Sequence, residues 1–163
     1  LPEPSLGIDR QHTGLRWYPE EPREPGVRYR AALEALAYLI AMAVAEHEEA
    51  GQKITRITVS GGIARSDLMC EILATVLDRP LLRLESEEGP ALGAAVTALA
   101  ALESNLRKQK GIAKKFTVAD AAQAMVRFRG TVAGCADWAE PYRLGLKQFR
   151  EILGRLQAGR PLR

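Results

Sequence analysis

From Val27 onward, apolar residues recur three and four apart. Leu33, Leu36, Ala37, Ile40 and Val44 fall on one side of a helical wheel, and Gly51 follows where a left-handed cap would close it. The spacing predicts one amphipathic helix of about 22 residues. The period then changes. Ile54 to Val59 sets β-branched residues among Thr55, Arg56 and Thr58 and predicts a strand. Helical spacing returns with Leu68, Ile72, Leu73, Val76 and Leu77, capped by Ser66 or Asp67 and stopped by Asp78-Arg79-Pro80. Leu81 to Leu84 reads as a short second strand. Gly89-Pro90 opens a third helix, ALGAAVTALAAL, whose small residues let another backbone come close.

Strand, helix, strand, helix predicts a parallel α/β layer. Beyond it, Thr117 with Asp120 forms a capping-box-like start to a short helix running through Met125. Asp137 with Glu140 offers another start, with Pro141 in or next to the first turn. Tyr142, Leu146, Phe149, Ile152, Leu153 and Leu156 make a long apolar stripe that should pack on the domain. At the other end, Pro2, Pro4, Pro19, Pro22 and Pro25 predict an extended or looped arm over residues 1–26, leaving 27–163 as the folded part. No repeat or low-complexity segment interrupts this order.

Composition narrows the class without changing this picture. The chain is 47% apolar and 26% charged, as in an ordinary water-soluble protein, and no apolar run is long enough to cross a bilayer. A net charge of +3 argues against nucleic acid. The basic run Arg107, Lys108, Lys110, Lys114 and Lys115 lacks interleaved aromatics and reads as a solvated linker. Cys70 and Cys135 lie far apart and outside metal-ligand spacing, so reduced thiols of a cytoplasmic protein are expected, with no metal cluster. His12 and His47 have no nucleophile or carboxylate at recognisable spacing, and neither is expected to be a base. Leu1 in place of Met suggests a piece of something longer. The small-residue face of Ala91–Leu102 suits internal packing, with a homodimer interface as the alternative.

The candidate chemistry lies in ITVSGGIARS, residues 57–66, where a strand runs into Gly61-Gly62 and a helix follows. Glycine accepts positive φ and lets backbone approach a ligand that a Cβ would push away. A helix N-terminus beside it suits an anion or a phosphate. The same residues would also serve a tight turn with nothing bound. Neither a Walker loop nor a Gly-x-Gly-x-x-Gly fingerprint is present.

Gly61-Gly62-Ile63-Ala64-Arg65-Ser66, then RPLLRLESEEGPALGAAVTAL at 79–99, resembles the C-terminal ATPase lobe of the FGGY carbohydrate kinases, with the likeness greatest to the xylulokinase branch. Gly89-Pro90-Ala91-Leu92-Gly93-Ala94-Ala95 matches that family's Gly-x-Ala-Leu-Gly-Ala-Ala helix, and the resemblance extends over about residues 28–153. It implies an actin/hexokinase-like (ribonuclease H-like) lobe, helix-rich with a short parallel sheet and C-terminal helices. It further implies that Gly61 and Gly62, with Ile63, lie against ATP, that Ser66 makes a polar contact to the nucleotide, and that Gly89 to Gly93 wall the adenine pocket. Mg²⁺ would be held mainly through the phosphates. Two departures stand out: Ile63 replaces the third glycine of many sugar kinases, and Ala35 stands where many relatives have Gly.

Transfer of the ATP γ-phosphate to a hydroxyl of a ketopentose such as xylulose is the activity so implied, with glycerol, gluconate or another polyol as the alternative acceptor. The family's catalytic Asp, in a Gly-Asp motif, has no counterpart before the glycine turn. The sugar-binding N-terminal lobe is expected to be a missing partner in the same parent chain, and these residues alone are expected to be inactive. Of Asp9, Arg10, His12 and Thr13, only Arg10 matches the family's substrate-side loop. A non-catalytic nucleotide-binding module and a purely structural α/β domain are the competing readings.

Overall fold

A computed structural model describes residues 16–157. Asp9, Arg10, His12 and Thr13, with most of the proline arm, lie outside the described residues. Six helices and three strands follow one another along the described chain: α1 (Pro25–Glu49), β1 (Ile57–Val59), α2 (Gly61–Arg65), α3 (Asp67–Leu77), β2 (Leu81–Leu84), α4 (Gly89–Gln109), α5 (Val118–Met125), β3 (Phe128–Val132) and α6 (Ala136–Gln157). They fall into two compact units. One holds residues 56–70 and 80–132; the other holds the chain up to Thr55, residues 71–79 and the chain from Ala133.

The first unit carries the sheet, in the order β1-β2-β3. β1 and β2 run parallel, with Ile57, Thr58 and Val59 opposite Leu81, Leu82 and Arg83. The expectation of a purely parallel sheet is corrected here: β3 adds antiparallel to β2, with Leu81 opposite Val132 and an irregularity between Arg83 and Leu84. β3 escapes sequence reading because Arg129 and Gly130 break its apolar alternation and it is exposed over most of its length. Its membership is set by pairing with β2, whose Leu81 is fully buried. The predicted strand over 54–59 also shortens to three residues.

On α4, Val96 and Ala100 face Ala121 of α5, with Leu92, Leu99, Phe116, Met125 and Val126 around them. Ala100 and Ala121 leave room for close helix approach, and Val96 fills the remaining space. Gly93, Ala94, Ala95, Thr97 and Ala98 instead lie exposed. The capping box forms as expected: Asp120 N–H donates to Thr117 Oγ1 at 3.2 Å, and Thr117 N–H donates to Asp120 Oδ2 at 2.7 Å. The basic run is only partly a linker. α4 continues to Gln109, and Arg107 lies over the Phe116 ring at 5.0 Å.

In the second unit α1 and α6 meet through Tyr38. Its ring stands edge-on to Tyr142 at 6.2 Å and tilted to Phe149 at 5.5 Å. The Tyr142 hydroxyl accepts from Arg30 Nη2 at 2.7 Å and donates to Glu34 Oε1 at 2.9 Å. Glu34 Oε1 also accepts from Arg30 Nε at 3.0 Å, so the α6 stripe begins on a closed polar knot. Thr75 of α3 accepts from Cys135 N–H at 2.9 Å and seats the segment leading into α6. That helix starts at Ala136, one residue before the predicted Asp137, which places Pro141 in its second turn. The missing N–H then removes one early bond. Gly51, at φ +86°, ends α1 as the pattern predicts.

Candidate functional site

The glycine turn lies wholly in the sheet-bearing unit. Ser60 leaves β1 fully extended, and Gly61 turns the chain at φ +66°, a conformation that L side chains rarely adopt. The long helix begins where its cap was expected, at Ser66-Asp67, but the residues between the glycines and that cap were not expected to form an element of their own. Gly61 and Gly62 form the first turn of the separate five-residue α2, which ends because Ser66 returns to an extended conformation before α3 begins at Asp67. Ser60 provides no side-chain cap for α2.

A Cβ at Gly62 would meet no heavy atom within 4 Å, whereas one at Gly61 would reach only the Glu87 carbonyl at 3.9 Å. Gly89 has a different use. A Cβ there would stand 2.6 Å from Ser60 Oγ and 3.3 Å from Ser60 Cβ, so the missing side chain lets the second strand-to-helix turn press against the first. Gly93 lies one turn along α4 on the same face as Gly89, with open space where its Cβ would be. The start of α4, a 21-residue helix, is thus set beside the glycine pair, and Glu88 at its N-cap makes no side-chain cap bond.

Ser66 sits at the far end of α2. Its Oγ accepts from Met69 N–H at 3.1 Å, so the hydroxyl caps α3. Ile63 is half-buried, and its carbonyl accepts from Ser66 N–H at 3.2 Å and from the Cys70 thiol at 3.3 Å. Burial pushes the Cys70 thiol up from its ordinary pKa, which keeps it protonated and able to donate. Arg65 pairs with Glu87 at 2.5 Å, linking α2 to the loop before α4. The structure therefore brings Gly89 against Ser60 and Gly61 beside Glu87, leaves the Cβ positions of Gly62 and Gly93 open, and commits the Ser66 hydroxyl to capping α3. Two residues that the sequence did not assign to the turn also act here. Cys70 and Arg83 hold the carbonyl end of α2. The signal for Arg83 was a charge inside the apolar strand Leu81-Leu82-Arg83-Leu84. Among the described residues no His, Cys, Asp or Glu cluster is placed to hold a metal ion.

The backbone superposes on xylulose kinase from Rhodospirillum rubrum with a TM-score of 0.65 and 28% identity, over 90% of this chain and 27% of that one. That likeness sets the class: a helix-rich lobe of the actin/hexokinase-like ATPase fold, with a short mixed sheet. Residues 7–102 match the FGGY family of carbohydrate kinases, C-terminal domain, and the chain belongs to that family. A ribulokinase from Mycolicibacterium smegmatis is 39% identical over 74 residues, 45% of this chain and 13% of the relative. A glycerol kinase from Dechloromonas aromatica is 43% identical over 70 residues, 42% of this chain and 14% of the relative. The chain thus spans about a seventh of those two enzymes. No helix among the described residues is long and apolar enough to cross a membrane.

Proposed function

We propose that this chain is the C-terminal nucleotide-binding part of an ATP-dependent kinase acting on a hydroxyl of a ketopentose such as xylulose or ribulose. The observation that carries the reading is the bare turn at Gly61-Gly62, open at Gly62, within a chain of the carbohydrate kinase family. The residues present suit the nucleotide: no heavy atom stands within 4 Å of where a Cβ would be at Gly62 or Gly93, which supports close approach of a ligand to the backbone there. Bound magnesium-ATP would supply the phosphoryl group and the cation that neutralises it. The chain's own part is binding and orientation. Gly61, Gly62 and Ile63 would lie along the phosphates, Gly89 and Gly93 beside the adenine, and Ser66 would keep its capping bond while contacting the nucleotide at its edge. None of these groups can accept the acceptor hydroxyl's proton, so we place the catalytic carboxylate outside this chain.

The glycerol kinase likeness favours a second acceptor class, polyols. A full-length enzyme containing this chain, given magnesium-ATP with xylulose, ribulose, glycerol and gluconate in turn, separates the two. The ketopentose reading expects the highest kcat/KM on xylulose or ribulose. A higher value on glycerol or gluconate transfers the assignment to polyols, and no ATP turnover with any acceptor defeats the kinase reading.

A further inference from the structure

We propose that Arg83 is a positioning residue for the nucleotide turn, a role that rests on the nucleotide reading above. Its backbone pairs with Val59, one residue before Ser60, so it lies beside the point where the chain enters the turn. From there its guanidinium reaches two further elements. Nη2 donates to the Ala64 carbonyl at the end of α2, and Nη1 donates to Asp67 Oδ1 at 2.5 Å at the start of α3. One side chain thereby fixes the strand before the glycines, the short helix they begin and the helix beyond. A five-residue helix cannot hold its own shape in water, because nucleation is unfavourable and few internal bonds follow it. External donors must hold the backbone that Gly61 and Gly62 present.

Stability alone does not account for an arginine here. Asp67 is 91% exposed, and ion pairs to so exposed a partner contribute little. The Arg83 side chain is itself only 13% exposed, and its Nε is buried without a hydrogen-bond partner. An apolar residue in this strand would avoid that penalty. What it would not supply is the planar fork, whose two nitrogens define the distance from Ala64 to Asp67. The bond to Ala64 governs the turn; the bond to Asp67 orients the fork.

The test uses the full-length kinase with Arg83→Met, Arg83→Lys, Asp67→Asn and, as a reference, Gly62→Val. Arg83→Met is expected to raise the KM for ATP about tenfold, since small displacements of a binding element are felt strongly, with the sugar KM unchanged. Arg83→Lys should recover part of the loss, and Asp67→Asn should stay within about twofold of the parent. Without nucleotide, amide hydrogen exchange should quicken in Arg83→Met at Gly62–Arg65 and stay unchanged in α5. Unchanged ATP KM and exchange in Arg83→Met, beside a raised ATP KM in Gly62→Val, overturns the proposal. So does a parallel rise in ATP and sugar KM with a lowered Tm, which marks general destabilisation. If neither Gly62→Val nor Arg83→Met moves the ATP KM, the nucleotide reading fails and the positioning role fails with it.

Discussion

Replacing each glycine of the turn by alanine, one at a time, should give opposite effects on stability. At Gly61 the backbone sits at φ +66°, where an L residue costs about 1–2 kcal/mol. Removing a glycine from the unfolded chain returns about 0.4–1 kcal/mol, and the new Cβ meets only the Glu87 carbonyl at an ordinary 3.9 Å. Gly61→Ala should therefore destabilise by about 1 kcal/mol. Gly62 lies inside α2 without a positive φ, and its Cβ would stand in open space. Gly62→Ala should stabilise by about 0.5 kcal/mol, leaving the two variants about 1.5 kcal/mol apart. Urea unfolding at constant m-value reads that difference directly. Function should order them the other way. Gly62→Val projects a branched side chain into the space assigned to nucleotide and should raise the KM for ATP by about 10–100-fold, roughly 1.4–2.7 kcal/mol, with the sugar KM little changed. Gly62→Ala destabilising as much as Gly61→Ala would show that the space is not open. Unaltered ATP kinetics in Gly62→Val would show that nothing binds there.

Two further outcomes test the other unit. A Cβ at Gly134 would stand 2.8 Å from Thr75 Cα and 3.0 Å from its N, atoms that cannot swing aside, so Gly134→Ala should destabilise by about 1–3 kcal/mol, read as a lowered urea midpoint. Tyr38 and Tyr142 are both pushed up to about 12, first by burial and then by the neighbouring Glu34 carboxylate, with Arg30 pulling Tyr142 the other way. Because the folded state holds these protons more tightly, their contribution is complete below pH ~10, the unfolded value, and is lost as pH rises through about 12. Tyr142→Phe should shrink that alkaline loss, measured as Tm against pH, and a loss of unchanged size would remove Tyr142 from the account.

Much of the fold was legible along the chain. β2 spans Leu81–Leu84 and α5 spans Val118–Met125, as the local pattern predicted, and Thr117 with Asp120 closes its box. Those features depend on residues three or four apart, whose geometry the helix or strand itself dictates. Gly61 was legible for the same reason: a strand that must turn at once needs a residue tolerating positive φ. The family resemblance was carried by the order and spacing of two glycine motifs, which the chain states directly.

Tertiary structure decided the rest. Whether Phe128–Val132 is a strand depends on β2 being beside it, 44 or more residues earlier in the chain. That α2 stands as a separate turn, held by Arg83 and Cys70, and that Gly89 serves contact with Ser60, follow from neighbours brought together across 7 to 29 residues. Hydrophobic periodicity records which side of an element is buried but carries no label for the partner that buries it. By itself the sequence determined where the backbone is bare. Folding determined which bare glycine faces open space and which only admits another turn, because that distinction lies in the atoms across the gap.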